Sequence, residues 1–247
     1  MRVKAWMGSG IFFLLFVAGT LVYGLGISAG WPVLSLERRR GLARHWFGYN
    51  RRILAATCDL REAVEGLERI PDGPMVILCK HQSTWETVVL QVLLPPSVVV
   101  LKESLLRIPV FGWALRATGQ IGIDRSKGVE ALHRLREQGL QQLGQGVSVL
   151  IFPEGTRSAP GQPGRYNPGG VALAMDAGVP ILPVAHNAGS FWPRRVFLKK
   201  PGVIRVRIGE PIVTAGLPRA ERKRLQALVE QTIEGMVREL ESGGATR

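Results

Sequence analysis

Beyond residue 61 the chain alternates short unbroken apolar runs with stretches whose apolar positions recur every three or four residues, the pattern of an α/β domain. Strands are expected at 75–79, 97–101, 120–123, 147–152, 180–185 and 203–208, and helices at 84–94, 110–118, 129–143 and 170–177. A last helical stripe over 218–240 carries Leu225, Leu228, Val229, Ile233, Met236, Val237 and Leu240, and packing on the sheet explains it without a partner. Residues 158–170 are rich in Pro and Gly and read as a loop. The order predicts one α/β unit: a single mixed, mostly parallel sheet flanked by helices.

Ahead of that unit, residues 5–36 contain no charged side chain. A bilayer needs about 20 mostly apolar residues, so this segment is long enough to be embedded. Trp6, Tyr23 and Trp31 suit the two interfaces. Several glycines and Pro32 interrupt a uniform helix, so one transmembrane span and a half-inserted helix pair both stand. A cleaved signal peptide is disfavoured, because 27–29 is a poor cleavage site and the apolar run continues past it. Arg38–Arg40 and the aromatic, arginine-bearing stretch 44–52 follow, and beside an apolar segment they read as contact with anionic headgroups. The expected division is a membrane anchor at 1–40 and a cytoplasm-facing body at 41–247. The positive-inside rule supports that orientation, though Arg2 and Lys4 make the other flank basic too.

At 247 residues the chain can bury one sizeable core plus an appendage. Its formal charge of +13 calls for an anionic partner: nucleic acid, anionic lipid or an acidic substrate. No zinc-finger spacing, RNP-like aromatic strand or basic heptad is visible, so nucleic acid is not expected. Two cysteines, Cys58 and Cys79, make no disulfide framework. Cys79 ends an apolar run and reads as a buried strand residue rather than a nucleophile.

Two polar motifs sit where apolar runs stop: Lys80-His-Gln-Ser-Thr-Trp-Glu86 and Phe152-Pro-Glu-Gly-Thr-Arg-Ser158. Strand ends are where open α/β sheets place their chemistry. A neutral imidazole at His81 can take a proton from an alcohol if a carboxylate holds its other nitrogen. Glu86 can supply that carboxylate if the chain turns sharply, but Ser83 through Glu86 is also a helix capping box. On the residues alone the two roles stand level. In the second motif, Gly155 permits a tight turn with N–H groups aimed at an anion, and Arg157 offers a planar fork of donors suited to phosphate.

The two motifs resemble those of the glycerolipid acyltransferase family, most closely its 1-acylglycerol-3-phosphate acyltransferases. The family's first motif is a His, four residues, then usually Asp; His81 and Glu86 hold those places, with Glu as a departure. The stretch 152–158 matches the third motif along its length. Lys102 through Pro109, with Gly112, Gly119 and Ile121-Gly-Ile-Asp-Arg125, resembles the second, and Val179-Pro-Ile-Leu-Pro183 the fourth. The resemblance covers roughly 76–184 and favours Glu86 as the group that orients His81.

It implies transfer of a fatty acyl group from a thioester, acyl-coenzyme A or acyl-acyl carrier protein, to the sn-2 hydroxyl of lysophosphatidate. His81 and Glu86 would be catalytic. Arg157, Lys102 and Arg125 would bind phosphate, and Glu154, Gly155 and Thr156 would form the oxyanion-side turn. No metal or further cofactor is implied. The protein would sit on the inner cell membrane with its catalytic body on the cytoplasmic side. Another lysolipid or glycerol 3-phosphate remains open as acceptor. From other classes, a basic lipid- or nucleic-acid-binding protein and a serine esterase are the rivals. The esterase has only Gly26-Ile-Ser28-Ala-Gly30 as a nucleophile elbow, inside the membrane-like run.

Overall fold

The computed structural model of the chain describes residues 2–242. Residue 1 and residues 243–247, the outer ends of the two expected segments, lie outside the described residues, as does the Arg2 side chain.

The uncharged N-terminal run forms one continuous helix, α1 (Arg2–Ala29), and the basic stretch behind it a second, α2 (Leu36–Cys58). The two pack side by side as a hairpin whose turn contains Pro32. The glycines of α1 do not break it; they let α2 come close. A Cβ at Gly8 would stand 2.1 Å from the Thr57 carbonyl oxygen, and one at Gly19 would stand 2.3 Å from the Tyr49 ring. Phe12 and Ile27 are buried against the body, while Leu14, Val22 and Leu25 face outward, exposed. By length and composition, α1 is apolar enough to cross a membrane.

Helix α2 corrects the sequence expectation for 38–52. Its arginines mask an apolar face on which Trp46, Ile53, Leu54 and Cys58 are buried. Three of those arginines are occupied within the protein. Arg40 donates to the Thr118 carbonyl and the Gln142 side chain. Arg44 donates to the carbonyls of Gln91, Val92 and Leu94, and Arg51 pairs with Glu62. Arg38 and Arg52 remain exposed.

Among the described residues seven strands form one sheet: β1 (Leu60–Glu65), β2 (Val76–Cys79), β3 (Ser97–Lys102), β4 (Ile121–Ile123), β5 (Ser148–Ile151), β6 (Ile181–His186) and β7 (Gly202–Ile208). Their order is β1-β7-β6-β2-β5-β3-β4, and all neighbours are parallel except β6 and β7. The last six coincide with the expected apolar runs. Strand β1 escapes that pattern because it is an edge strand whose alternate residues Arg61, Ala63 and Glu65 are exposed, two of them charged.

The expected helix at 84–94 is two short turns, α3 (Trp85–Val88) and α4 (Leu90–Leu93). Next come α5 (Phe111–Ala117), α6 (Gly128–Gly144), α7 (Gly169–Ala177) and α8 (Arg222–Ser242). On α8, Leu228 is exposed and leaves the expected stripe, while the acidic Glu234 is buried within it.

Side-chain alternation splits the core into two layers. Ile77 and Cys79 of β2 pack with Trp46, Leu54, Trp85 and Leu90 from α2, α3 and α4. Val76 and Leu78 point the other way, toward Leu135, Leu173, Val229 and Ile233 of α6, α7 and α8. Strand β2 lies beside β5; the chain leaves β2 through α3 and α4 toward β3, and leaves β5 through α7 toward β6. The two departures use opposite faces of the sheet, which opens a crevice at the carboxyl ends of β2 and β5.

Candidate active site

Alternation along β2 continues past Cys79, so His81 turns to the face covered by α1–α4 and Lys80 to the opposite face. The His81 ring stacks on Phe152, the residue after β5, with centroids 4.3 Å apart. Its Nδ1 lies 2.9 Å from Glu86 Oε1. That same oxygen accepts the N–H groups of Gln82 at 2.9 Å and Ser83 at 2.7 Å. Capping the turn and holding the imidazole, alternatives in the sequence, therefore coexist on one atom. Glu in place of Asp still reaches the ring. Ser83 Oγ accepts the Trp85 N–H and donates to the Trp192 carbonyl at 2.6 Å, which ties the turn to the 188–193 segment.

Glu86 is fully buried. Burial works against its charge, but His186, the bond and charge of His81 and the Ser83 N–H outweigh it and hold the carboxyl below its ordinary value. An ionised carboxylate only accepts, so the proton of neutral His81 sits on Nδ1 and Nε2 keeps its lone pair. Behind Glu86 lies His186, whose Nε2 is 3.8 Å from Glu86 Oε2. His186 Nδ1 accepts the Ala188 N–H at 3.2 Å and its Nε2–H donates to the Lys80 carbonyl at 2.9 Å. Burial lowers its pKa, so it stays neutral.

The loop after β5 clasps His81 from both sides. Glu154 Oε1 accepts the His81 N–H at 2.8 Å, and the His81 carbonyl accepts the Ser158 N–H at 2.9 Å. Glu154 Oε2 faces Lys80 Nζ at 3.2 Å. Of the turn expected to serve an oxyanion, Glu154 is thus a carboxylate with both oxygens occupied. Gly155 sits at φ +69°, where a side chain would be strained, and its N–H donates to the Phe152 carbonyl. The main-chain N–H groups of Thr156 and Arg157 have no acceptor among the described residues.

His81 lines a cavity of about 350 Å³ together with Lys102, Arg125 and Arg157, so the three cations named from sequence share one cavity with the histidine. The rest of the lining is largely apolar: Phe16, Tyr23 and Ile27 from α1, Trp46 and Phe47 from α2, Phe111 and Ala114 from α5. None of the three cations makes an ion pair among the described residues. Burial lowers the pKa of Arg125 and of Arg157, the latter against the pull of Glu86 and with the push of Arg194. Arg157 is half-buried and has no ion-pair partner among the described residues, so it carries a desolvation cost that a bound anion would relieve; Arg125 and Lys102 are more exposed.

Sequence motifs do not reveal His186, Glu234 or Tyr166, and assign Lys80 no role. The available signals are slight: His186 ends an apolar strand and Glu234 interrupts an apolar stripe. Ser28, the elbow-like serine, lies in α1 with its hydroxyl donated to the Gly24 carbonyl, far from any strand–turn–helix setting.

A family model described as "Acyltransferase" matches residues 61–187, from β1 to just past β6. The 1-acyl-sn-glycerol-3-phosphate acyltransferase of Pseudomonas aeruginosa is 43% identical over 228 residues, which are 90% of this chain and 89% of that protein. The 1-acyl-sn-glycerol-3-phosphate acyltransferase of Saccharomyces cerevisiae is 33% identical over 159 residues, 62% of this chain and 52% of the yeast protein. The crystal structure of the 1-acyl-sn-glycerophosphate (LPA) acyltransferase PlsC from Thermotoga maritima is similar with a TM-score of 0.79 at 24% identity, covering 97% of both chains, and shares the fold.

Proposed function

The chain belongs to the acyltransferase family, and from that premise we propose that it moves a fatty acyl group from an acyl thioester to the sn-2 hydroxyl of 1-acyl-sn-glycerol 3-phosphate, giving phosphatidate for phospholipid synthesis. The observation that carries this reading is one cavity holding a carboxylate-bound imidazole, three cations without ion-pair partners among the described residues and a long apolar wall.

Arg157, Lys102 and Arg125 bind the acceptor's phosphate, and the apolar wall takes acyl chain. His81 Nε2 removes the sn-2 hydroxyl proton as that oxygen attacks the thioester carbonyl. Glu86 stabilises the imidazolium that forms. The N–H groups of Thr156 and Arg157 are the free donors for the tetrahedral oxyanion, a contribution of about 3 kcal/mol where such donors are well placed. Collapse breaks the carbon–sulfur bond, and the thiolate takes the proton from His81. Acyl-coenzyme A and acyl-acyl carrier protein both present this thioester, and the steps call on no metal or other cofactor.

The outward apolar side of α1 is the part proposed to enter the bilayer, with the sheet-bearing body on the cytoplasmic side of the inner membrane. That geometry brings a membrane-dissolved acceptor to a cavity walled by the same helix. Purified protein offered lysophosphatidate, lysophosphatidylcholine, lysophosphatidylethanolamine and glycerol 3-phosphate with each donor tests the reading. Phosphatidate should be the main product. Preference for a zwitterionic lysolipid would overturn the acceptor assignment.

A further inference from the structure

The sheet face opposite the His81 ring carries a buried ionic cluster that the acyl-transfer steps do not use. Lys80 Nζ, 1% exposed, lies 2.7 Å from Glu234 Oε1 on α8 and 3.2 Å from Glu154 Oε2. Tyr166 donates its hydroxyl to the same Glu234 oxygen at 2.8 Å. Burial, with Glu234 alongside, pushes the Tyr166 pKa far above its ordinary value, so the phenol remains a donor. The other oxygen of Glu154 accepts the His81 N–H at 2.8 Å. An unbroken hydrogen-bonded path therefore runs from Tyr166 through Glu234, Lys80 and Glu154 to the main chain of His81.

Two carboxylates and one ammonium out of water are an expensive way to fill a core; apolar side chains of similar volume serve stability at least as well. What the path does supply is orientation and charge. The Lys80 ammonium sits 3.2 Å from Glu154, whose other oxygen ties the His81 main chain to the 153–158 turn.

We propose that Glu234, acting through Lys80 and Glu154, is a positioning residue for the acyl-transfer reaction: it fixes the His81 main chain and contributes to the negative field in which the imidazole takes up its proton. This rests on His81 being the base. Charged and titratable groups reach this region from the packed elements: Cys79 from β2 and Lys80 just after it, Glu86 from α3, Glu154, Arg157 and Tyr166 from the loop between β5 and α7, His186 from β6, and Glu234 and Glu241 from α8. Of these, Glu234 can be neutralised by an isostere, and it does not line the cavity.

The test is Glu234→Gln in the full-length protein, whose amide oxygen can still accept from Lys80 and Tyr166 while the charge is gone. Removing negative charge makes the imidazolium less stable, so the acid limb of kcat/KM should move down by about half a pH unit. Turnover should fall about 3- to 10-fold, with the acceptor KM within about twofold of wild type. Titration of 13C-histidine-labelled protein, with His81 assigned by a His81→Asn variant, should show the same displacement without any turnover. Glu234→Asp keeps the charge but pulls it back, so it should lose turnover yet leave the limb in place; thermal melts of each variant separate misfolding from mispositioning. A folded Glu234→Gln with an unmoved limb and titration would overturn the inference, as would a limb that moves equally in Glu234→Asp. A wild-type limb that does not follow the His81 titration would instead overturn the base assignment beneath it.

Discussion

Glu86 Oε1 stands 2.9 Å from His81 Nδ1 while it also accepts the main-chain N–H groups of Gln82 and Ser83. One atom thus starts the turn after β2 and sets the tautomer of the imidazole, so the contact that folds the motif also orients the His81 ring. Glu86→Gln should preserve the turn, because an amide oxygen accepts the same bonds, but it removes the charge that stabilises imidazolium. Turnover should drop about 10- to 100-fold, the difference between a charge-assisted and a neutral bond to the ring. Steady-state assays paired with thermal melts check this; full activity in the variant would reduce Glu86 to a cap.

Arg157 lines the His81 cavity, loses stability of its charge to burial and has no ion-pair partner among the described residues. Arg157→Ala should weaken catalytic efficiency with lysophosphatidate by about 10- to 150-fold, the worth of one charge-assisted contact. The loss should fall mainly on the acceptor's KM, and Arg157→Lys should recover only part of it, since a point charge lacks the planar fork. Equal losses for acceptors with and without phosphate would remove Arg157 from the phosphate site.

Helix α1 is more than a tether. It contributes Phe12 to the core and Phe16, Tyr23 and Ile27 to the cavity wall. Deleting residues 2–35 should therefore abolish activity on detergent-dispersed substrate as well as on bilayers, and expose core surface to a hydrophobic dye. A truncated protein that keeps its detergent activity would return α1 to the role of a separable anchor.

His186 and Glu86 give stability a pH dependence of one sign. The ordinary value for His186 is 6.5, and burial lowers it in the folded protein. The unfolded chain then binds the proton first, so stability is full above about 6.5 and declines as pH falls toward the lowered value. Glu86, held below its ordinary 4.5, adds a further loss only as pH falls beneath that figure and through its own lowered value. Melting temperatures should fall between pH 7 and 5, and a His186→Gln variant should show a flatter slope in that window. Parallel slopes would mean that some other group governs it.

Most of the fold is legible because buried strands such as Val76–Cys79 and Ser148–Ile151 are apolar without interruption. Helix α2 is obscured because Arg40 and Arg44, which look like surface charge, bind carbonyls and a side chain inside the protein. The His81–Glu86 pair is legible because its members are five residues apart on one turn. Lys80 and Glu234 are not, for they meet across 154 positions and no local periodicity records the contact. The same holds for His186, which reaches Glu86 only because β6 lies beside β2.

In the proposed reaction His81 withdraws the proton of the acceptor's hydroxyl. The most direct test of that step is the rate of phosphatidate formation by His81→Ala, with saturating thioester and lysophosphatidate, on protein shown by melting and membrane recovery to be folded. Turnover should be about 100- to 10,000-fold below wild type, the usual contribution of a positioned general base. Turnover close to wild type in the folded variant would contradict it.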